Sequence, residues 1–332
     1  MTAPRRSRLL GTGHYLPARV LSNSDLERMV DTSDAWIVER TGIRERRIAA
    51  EGECSSDMAA EAARRALESA GLKPADIDLL LVGTISADHP MPSCAALVQK
   101  KLGMRNVLCV DLSAACAGWL YGLEIADQYV RTGKARRVLV VGVELLSRVL
   151  DWTDRVTCVL FGDGAGAAVL GPQEEGETGA LLGTHCFLDG GLAGALCIPA
   201  GGSARPASHA TVDAREHYVK MQGQEIFKSA VKNLASSCKV ALEEAKLTAA
   251  EVDWVVPHQA NLRILQGVSD RVGVPMARFY INLDRVGNTS SASVPIALDE
   301  ASRAGLLKPG QVVLCCALGA GIAWGSALFR WG

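Results

Sequence analysis

ALESAGLKPADIDLLLVG at Ala66–Gly83 and ALEEAKLTAAEVDWVVPH at Ala241–His258 are one pattern written twice, 175 residues apart. Each copy runs from an alanine-containing helical end through a short polar turn into a continuous apolar segment, IDLLLV in the first and VDWVVP in the second. An unbroken apolar run of this length reads as a strand covered on both faces, as in a parallel sheet flanked by helices. A second correspondence, Arg131-Thr-Gly133 with Arg303-Ala-Gly305, has an offset of 172 and sets Cys116 opposite Asn288. A strand–helix–strand unit used twice is a duplicated α/β architecture. VLVVG (Val138–Gly142) is a further buried strand, and FGDGAGAAVL (Phe161–Leu170) a Gly/Ala-rich one. The polar, glycine-flanked GPQEEGETG (Gly171–Gly179) marks the internal boundary, giving halves 1–172 and 173–332.

The chain has 332 residues, 48% of them hydrophobic, enough for a large core. A formal charge of −1 gives no overall case for nucleic acid or a membrane surface as partner. No apolar run approaches the ~20 residues of a bilayer span. The opening MTAPRRSRLLGTGHYLP lacks the apolar stretch of a signal peptide. Ten cysteines without a CxxC spacing fit neither a disulfide scaffold nor a zinc ribbon, so a reduced, cytoplasmic setting is expected. FGDGAGAAVL lacks the GxGxxG fingerprint, so no nicotinamide cofactor is expected, and no ligand cluster suggests a metal.

The chemistry centres on VLCVDLSAACAGWLYGL, Val107–Leu123. Val107–Asp111 reads as a short strand, and from Ala117 to about Arg131 the apolar spacing turns helical. Cys116 sits between them among small residues that would let a substrate reach its sulfur. Free amides and the helix dipole at such a turn are expected to lower a thiol pKa from roughly 8.5 towards about 7 or below. The competing reading is a buried cysteine used as a small hydrophobe. VVPHQANLRI (Val255–Ile264) places His258 at a strand end, before a helix expected to begin near Gln259. RVGNTSSAS (Arg285–Ser293) places Asn288 at another such turn, where capping is its ordinary use. In CCALGAGIAWGSAL (Cys315–Leu328), backbone amides of Gly319-Ala320-Gly321 are suited to face an oxyanion. A fourth helix is expected to be capped by Ser56 and to run to Ala70.

Cys116 in AACAG, His258 in PHQAN, Asn288 in GNTS and the terminal GAGIAWG resemble the initiating β-ketoacyl-acyl-carrier-protein synthases of type III, from bacterial fatty-acid synthesis. DTSDAWIVERTGIRER and FGDGAGAAVL extend the resemblance over nearly the whole chain. The resemblance implies the thiolase-like fold, a duplicated five-layer αβαβα arrangement, and a homodimer. It implies condensation of an acyl-CoA primer with malonyl-acyl-carrier protein through an acyl-Cys116 thioester. No cofactor is implied, coenzyme A entering as part of the thioester substrate.

Such chemistry needs a soft nucleophile that can also leave, which a thiolate is. Decarboxylation of the malonyl group then supplies a carbanion, whose enolate oxygen needs neutral or cationic donors such as His258 and Asn288. By resemblance, the backbone amides of Cys116 and Ala320 form the oxyanion hole. Trp36 and Arg155 resemble the pair that sandwiches the adenine of coenzyme A, with Thr32, Arg40 and Asn261 nearby. Met91 and Leu318 stand where the acetyl-specific members commonly have phenylalanines, Met91 where the ring crosses a dimer interface into the acyl pocket. Lys228, Arg263 and Arg271 resemble a patch that docks the acidic carrier protein, although Asp270 stands where lysine is common.

Four other readings compete, one of them a non-catalytic dimeric binding scaffold, which is hard to reconcile with an intact Cys116, His258 and Asn288. A thiolase would need a second reactive cysteine, a type III polyketide synthase a GFGPG loop, and neither is present. An acyltransferase or condensing enzyme of secondary metabolism would keep the same three residues.

Overall fold

The computed structural model of the chain describes residues 6–332. Its first half runs β1 (Ser7–Tyr15), α1 (Asp34–Thr41), α2 (Ser55–Ser69), β2 (Leu79–Gly83), α3 (Cys94–Leu102), β3 (Leu108–Leu112), α4 (Gly118–Arg131), β4 (Val138–Glu144) and β5 (Gly164–Pro172). The second runs β6 (Ala180–Leu188), α5 (Gly223–Glu244), β7 (Trp254–Pro257), α6 (Leu262–Val272), α7 (Ser293–Arg303), β8 (Val312–Gly319) and β9 (Ala323–Arg330). The first sheet has the order β1-β5-β4-β2-β3 and the second β7-β8-β9-β6. In the first, β4, β2 and β3 are parallel neighbours and the β4-β5 and β5-β1 pairings are antiparallel; in the second, β7 and β8 are parallel and the β8-β9 and β9-β6 pairings antiparallel. The fifth strand of the second sheet is reduced to a single parallel bridge, Val255 with Phe279.

Three apolar clusters stack these parts into five layers. α2 and α3 cover one face of the first sheet through Met58, Ala62, Leu67 and Val98. α4 and α7 fill the space between the sheets, where Leu120, Leu123, Val294 and Leu298 meet Val140 from one sheet and Val313 from the other. α5 and α6 close the far face through Leu234, Cys238, Leu265 and Val268. Each such buried Leu or Val contributes about 1.5–3 kcal/mol relative to an exposed one. The thiolase-like, duplicated α/β architecture is therefore the observed one.

The repeat register differs from the one the Arg131/Arg303 match suggested. α4 begins at Gly118 and α7 at Ser293, so the helix starts obey the 175-residue offset. Cys116 is consequently opposite Ser291, and Asn288 lies three residues earlier in its loop. The offset of 172 came from the helix ends, because α7 has 11 residues where α4 has 14. The backbone carries the same signature: Ala115 at φ 44° and Ser290 at φ 49° are equivalent positions, both in the left-handed region. Non-glycine residues there are uncommon, so the shared strain marks the two turns as copies of one device.

Glycines at the strand ends let these turns cross. A Cβ on Gly142 would lie 2.2 Å from the Ser291 carbonyl oxygen, and one on Gly83 would lie 2.7 Å from the Gly118 carbonyl carbon. Ser291 Oγ then donates to the Gly83 carbonyl at 2.9 Å. The two αR-breaking turns thus meet at the molecular centre, over strand ends stripped of side chains.

Smaller expectations shift at element ends. α2 starts at Ser55 with Cys54 in the cap position, because Ser56 is spent on Asp88, its N–H and Oγ donating at 2.9 and 2.6 Å. The strand before Cys116 is Leu108–Leu112, one residue later than the apolar run suggested.

Candidate active site

Cys116 lies in a tight 3₁₀ turn, Ala115–Ala117, directly before α4. It is buried, 7% exposed, and shares the lining of one cavity with Ser290. The expected acidification of the thiol is not what this setting produces. Burial pushes the Cys116 pKa up to about 12, and the nearby Glu144 carboxylate adds to the rise. The neighbouring Ser290 hydroxyl and the cysteine's own backbone N–H oppose that rise without cancelling it. The helix terminus is present, but loss of water around the sulfur outweighs it.

His258 follows β7, anchored by its N–H donating to the Cys316 carbonyl at 2.7 Å. Its imidazole is almost fully buried, and burial lowers its pKa to about 3, so it is neutral. Nδ1 is buried with no partner. An unpaired N–H would be costlier there than an unpaired lone pair, which favours the proton on Nε2. Asn288 does cap its turn, Oδ1 accepting from the Ser290 N–H at 2.8 Å. That bond fixes the amide orientation and leaves its NH₂ as the free donor. Arg46, wholly buried, braces this loop by donating to the Val159 carbonyl and to Asn23 Oδ1, with its Cβ packed under Gly287.

Cys116, His258 and Asn288 line one cleft of about 120 Å³, whose mouth carries Phe227, Ala260 and Asn261. Leu318, at the end of β8, forms part of its wall. A second cavity of about 210 Å³ also reaches Cys116, lined by Ile85, Leu146, Phe161, Ile198 and Val219 among others. Ala320 borders this cavity beside Cys116 and Ser290. The glycine before it is needed for the approach, since a Cβ on Gly319 would sit 2.5 Å from the Cys116 nitrogen. The apolar lining of this cavity was not legible in the sequence: it is drawn from five separate loops and strand ends. Met91 is 85% exposed and borders neither space in its own chain.

At the surface, Trp36 and Arg155 meet from positions far apart in sequence, the guanidinium carbon lying 5.4 Å from the indole centroid. Arg40 covers the same indole at 4.7 Å. Arg155 also donates to the Asp31 carbonyl at 3.0 Å, so the cluster is closed on itself. Thr32 Oγ1 is buried beside it without a partner. Asn261 caps α6, accepting from the Arg263 N–H at 2.9 Å, and its Nδ2 donates to the Arg40 carbonyl at 2.9 Å. It therefore ties α1 to α6 as well as facing the cleft.

α6 begins at Leu262, three residues later than expected, because Asn261 is its cap. Leu262 is 39% exposed, and the buried apolar stripe of α6 is Ile264, Leu265, Val268 and Val272. Arg263 lies over Phe227 of α5, its guanidinium carbon 5.9 Å from the ring centroid, which brings it to the same rim as Lys228. Arg271 is about 12 Å further along α6 at 1.5 Å per residue. Asp270 accepts from Gln266 Nε2 at 2.9 Å.

Two residues at the site were missed. Glu144 ends β4 with no exposed surface, and its Oε1 accepts from Ser290 Oγ at 3.1 Å. A carboxylate closing the apolar run VLVVGVE was the available signal.

Sequence profiles described as 3-oxoacyl-[acyl-carrier-protein (ACP)] synthase III and its C-terminal part match residues 110–190 and 242–331. A β-ketoacyl-[acyl-carrier-protein] synthase III of Caldanaerobacter subterraneus is 51% identical over 323 residues, covering 97% of each chain. The enzyme of the same name from Symbiobacterium thermophilum is 51% identical over 330 residues, covering 98% of each. The crystal structure of 3-oxoacyl-[acyl-carrier-protein] synthase III from Aquifex aeolicus superposes with a TM-score of 0.90 at 43% identity, over 98% of this chain and 100% of that one.

Proposed function

The chain belongs to the 3-oxoacyl-acyl-carrier-protein synthase III family, and we propose that it condenses an acyl-CoA primer with malonyl-acyl-carrier protein, with loss of carbon dioxide, to start fatty-acid synthesis. The observation that carries this reading is the meeting of Cys116, His258 and Asn288 in one cleft, with the Asn288 amide free to donate. Cys116 attacks the primer thioester, forming acyl-Cys116 and releasing coenzyme A as its thiol. The carbonyl oxygen of that step is assigned to the backbone N–H groups of Cys116 and Ala320. The malonyl thioester then loses carbon dioxide, and its enolate oxygen is held by neutral His258 and Asn288. An imidazole that stays uncharged is a donor throughout this step and need not take up a proton. The resulting carbanion attacks acyl-Cys116, which leaves as thiolate.

The two halves, 1–172 and 173–332, divide this work: the first supplies the nucleophile, the second His258, Asn288 and Ala320. Trp36, Arg155, Arg40, Thr32 and Asn261 are assigned to coenzyme A, the adenine entering between an indole and a guanidinium already stacked together. The apolar cavity behind Cys116 suits a short straight or branched aliphatic acyl chain. Lys228 and Arg263 at the cleft rim, with Arg271 beyond them, are assigned to the acidic carrier protein. No resident cofactor is called for, because decarboxylation supplies the carbanion.

A homodimer accords with the unpaired edge strand β3, where Leu108 is 52% exposed, and with the exposed Met91 and Leu188. In that assembly Met91 would serve the partner's cavity. A cytoplasmic setting accords with ten cysteines, all unpaired; among the described residues no helix is long and apolar enough to cross a membrane. The test is carbon dioxide release on mixing acyl-CoA with malonyl-acyl-carrier protein. Release that depends on Cys116, His258 and Asn288 supports the reading; acyl transfer without carbon dioxide sinks it.

A further inference from the structure

The pair of buried groups next to Cys116 that the condensation does not use is Glu144 with Ser290. Glu144 Oε2 accepts from Ser86 Oγ at 2.6 Å, the Ile85 N–H at 3.2 Å and Thr84 Oγ1 at 3.4 Å. Oε1 accepts from Ser290 Oγ at 3.1 Å, and Ser290 lines the same cavity as Cys116. Ser290 thus stands between carboxylate and sulfur, in a left-handed conformation that a serine adopts only under constraint. We propose that Ser290 and Glu144 are a proton relay for Cys116, with the Ser290 hydroxyl passing the thiol proton to the Glu144 carboxylate and later returning it.

The relay answers a difficulty raised by the site itself. The buried thiol resists ionisation, and His258, held down near 3, is too weak a base to take its proton. Glu144 is hydrogen-bonded to the hydroxyl of Ser290, which borders the same cavity as the sulfur. Burial raises its pKa from 4.5 to about 7, the range in which a group exchanges protons at neutral pH. The other thiol in its field is Cys94, beyond which lie Asp88 and Asp111. Asp163, at the start of the adjoining strand, is committed to Ala49 and Ser147. On the helices packed over β4, Asp57 pairs with Lys101, Asp299 with His14 and Arg303, and Glu124 with Cys186. None of these carries a cation to Glu144.

The steps balance. The Cys116 S–H bond breaks, its proton goes to Ser290 Oγ, and the Ser290 proton passes to Glu144 Oε1. Negative charge has moved from carboxylate to sulfur. The sulfur forms a bond to the thioester carbonyl carbon, the bond to the coenzyme A sulfur breaks, and that leaving sulfur recovers the proton from Glu144 through Ser290. Glu144 ends ionised, as it began. This use in acylation rests on the condensation reading; the relay itself does not.

Alkylation of Cys116 by iodoacetamide therefore tests it, followed by mass spectrometry of the Cys116 peptide across pH. The wild-type rate should rise through an inflection near pH 7, where Glu144 becomes able to accept the proton. Glu144→Gln removes the acceptor and should slow alkylation at pH 7.5 about tenfold or more, the modest end of what a lost proton acceptor costs, and abolish the inflection. Ser290→Ala keeps the carboxylate but breaks the link, and should slow it similarly. The double variant should be no slower than the slower single one, as expected of two parts of one path. The opposite sign overturns the relay: if Glu144 acts only as a negative charge, Glu144→Gln makes the thiolate easier to form and alkylation faster. A wild-type profile flat through pH 7 overturns it as well. With relay behaviour intact and no carbon dioxide released from malonyl-carrier protein, the condensation reading fails and the relay stands.

Discussion

Gly142→Ala tests whether the crossing of the two central turns holds the site together. The added Cβ would lie 2.2 Å from the Ser291 carbonyl oxygen, 2.8 Å from its carbonyl carbon and 3.0 Å from its Oγ. Real Cβ atoms keep at least about 3.0 Å, so the backbone of Ser291 must retreat by roughly 0.8 Å, and no flexible side chain can absorb the move. Overpacking of this kind costs about 1–3 kcal/mol, or very roughly 2–12 °C of melting temperature at 2–4 °C per kcal/mol. The larger effect is on chemistry. Ser290 and Asn288 share that turn, and displacing a catalytic group by about 1 Å can cost on the order of 10²-fold in rate. Thermal melting and carbon dioxide release are the two assays, with Gly190→Ala as control, since nothing lies within 4 Å of its added Cβ. Wild-type melting and wild-type turnover in Gly142→Ala would refute the account of the crossing.

His258→Ala and Asn288→Ala should still take an acyl group from acyl-CoA but lose malonyl decarboxylation by roughly 10²-fold or more; near wild-type condensation in Asn288→Ala would reduce Asn288 to the cap it also is. Arg263→Glu should raise KM for malonyl-carrier protein, more so at low salt, and leave acylation by acyl-CoA nearly unchanged, because the contact is a rim charge; equal losses with both substrates would assign Arg263 to structure. Glu144 has a raised folded-state pKa, about 7 against 4.5, so the folded protein binds the proton more tightly. The protein should accordingly lose stability as pH rises from about 4.5 to 7, by a few kcal/mol at about 1.4 kcal/mol per unit, with no further loss above. Glu144→Gln should flatten that slope in denaturant titrations at pH 5 and pH 8.

The fold was legible because its signal is repeated. Two apolar strands at a 175-residue spacing, each behind a helix, fix parallel strands with covering helices, and the structure has both. The register of Cys116 against the second half was not, since a match at helix ends cannot reveal that α7 is three residues shorter than α4. Cys116, His258 and Asn288 could be singled out because each is an unusual residue at a strand-to-helix turn. The state of the thiol could not: sequence gives the helix terminus, while desolvation depends on the Gly319 loop closing over Cys116 from 200 residues away. Glu144 escaped for a related reason. A carboxylate after VLVVGV reads as the solvent end of a strand until Thr84, Ser86 and Ser290 are seen to enclose it. Arg263 could be named from its motif, but its neighbour Phe227 belongs to another helix and only the packing of α5 on α6 brings them together.

The most direct measurement isolates the acyl-enzyme. The protein is loaded with acyl-CoA, freed of excess, and the Cys116 peptide is weighed before and after addition of malonyl-acyl-carrier protein. The expected result is an acyl adduct on Cys116 and on no other cysteine, discharged by malonyl-carrier protein with one carbon dioxide released per acyl group lost. An adduct on another cysteine, or an acyl-Cys116 that persists with malonyl-carrier protein yet passes to an alcohol or amine, would contradict the account.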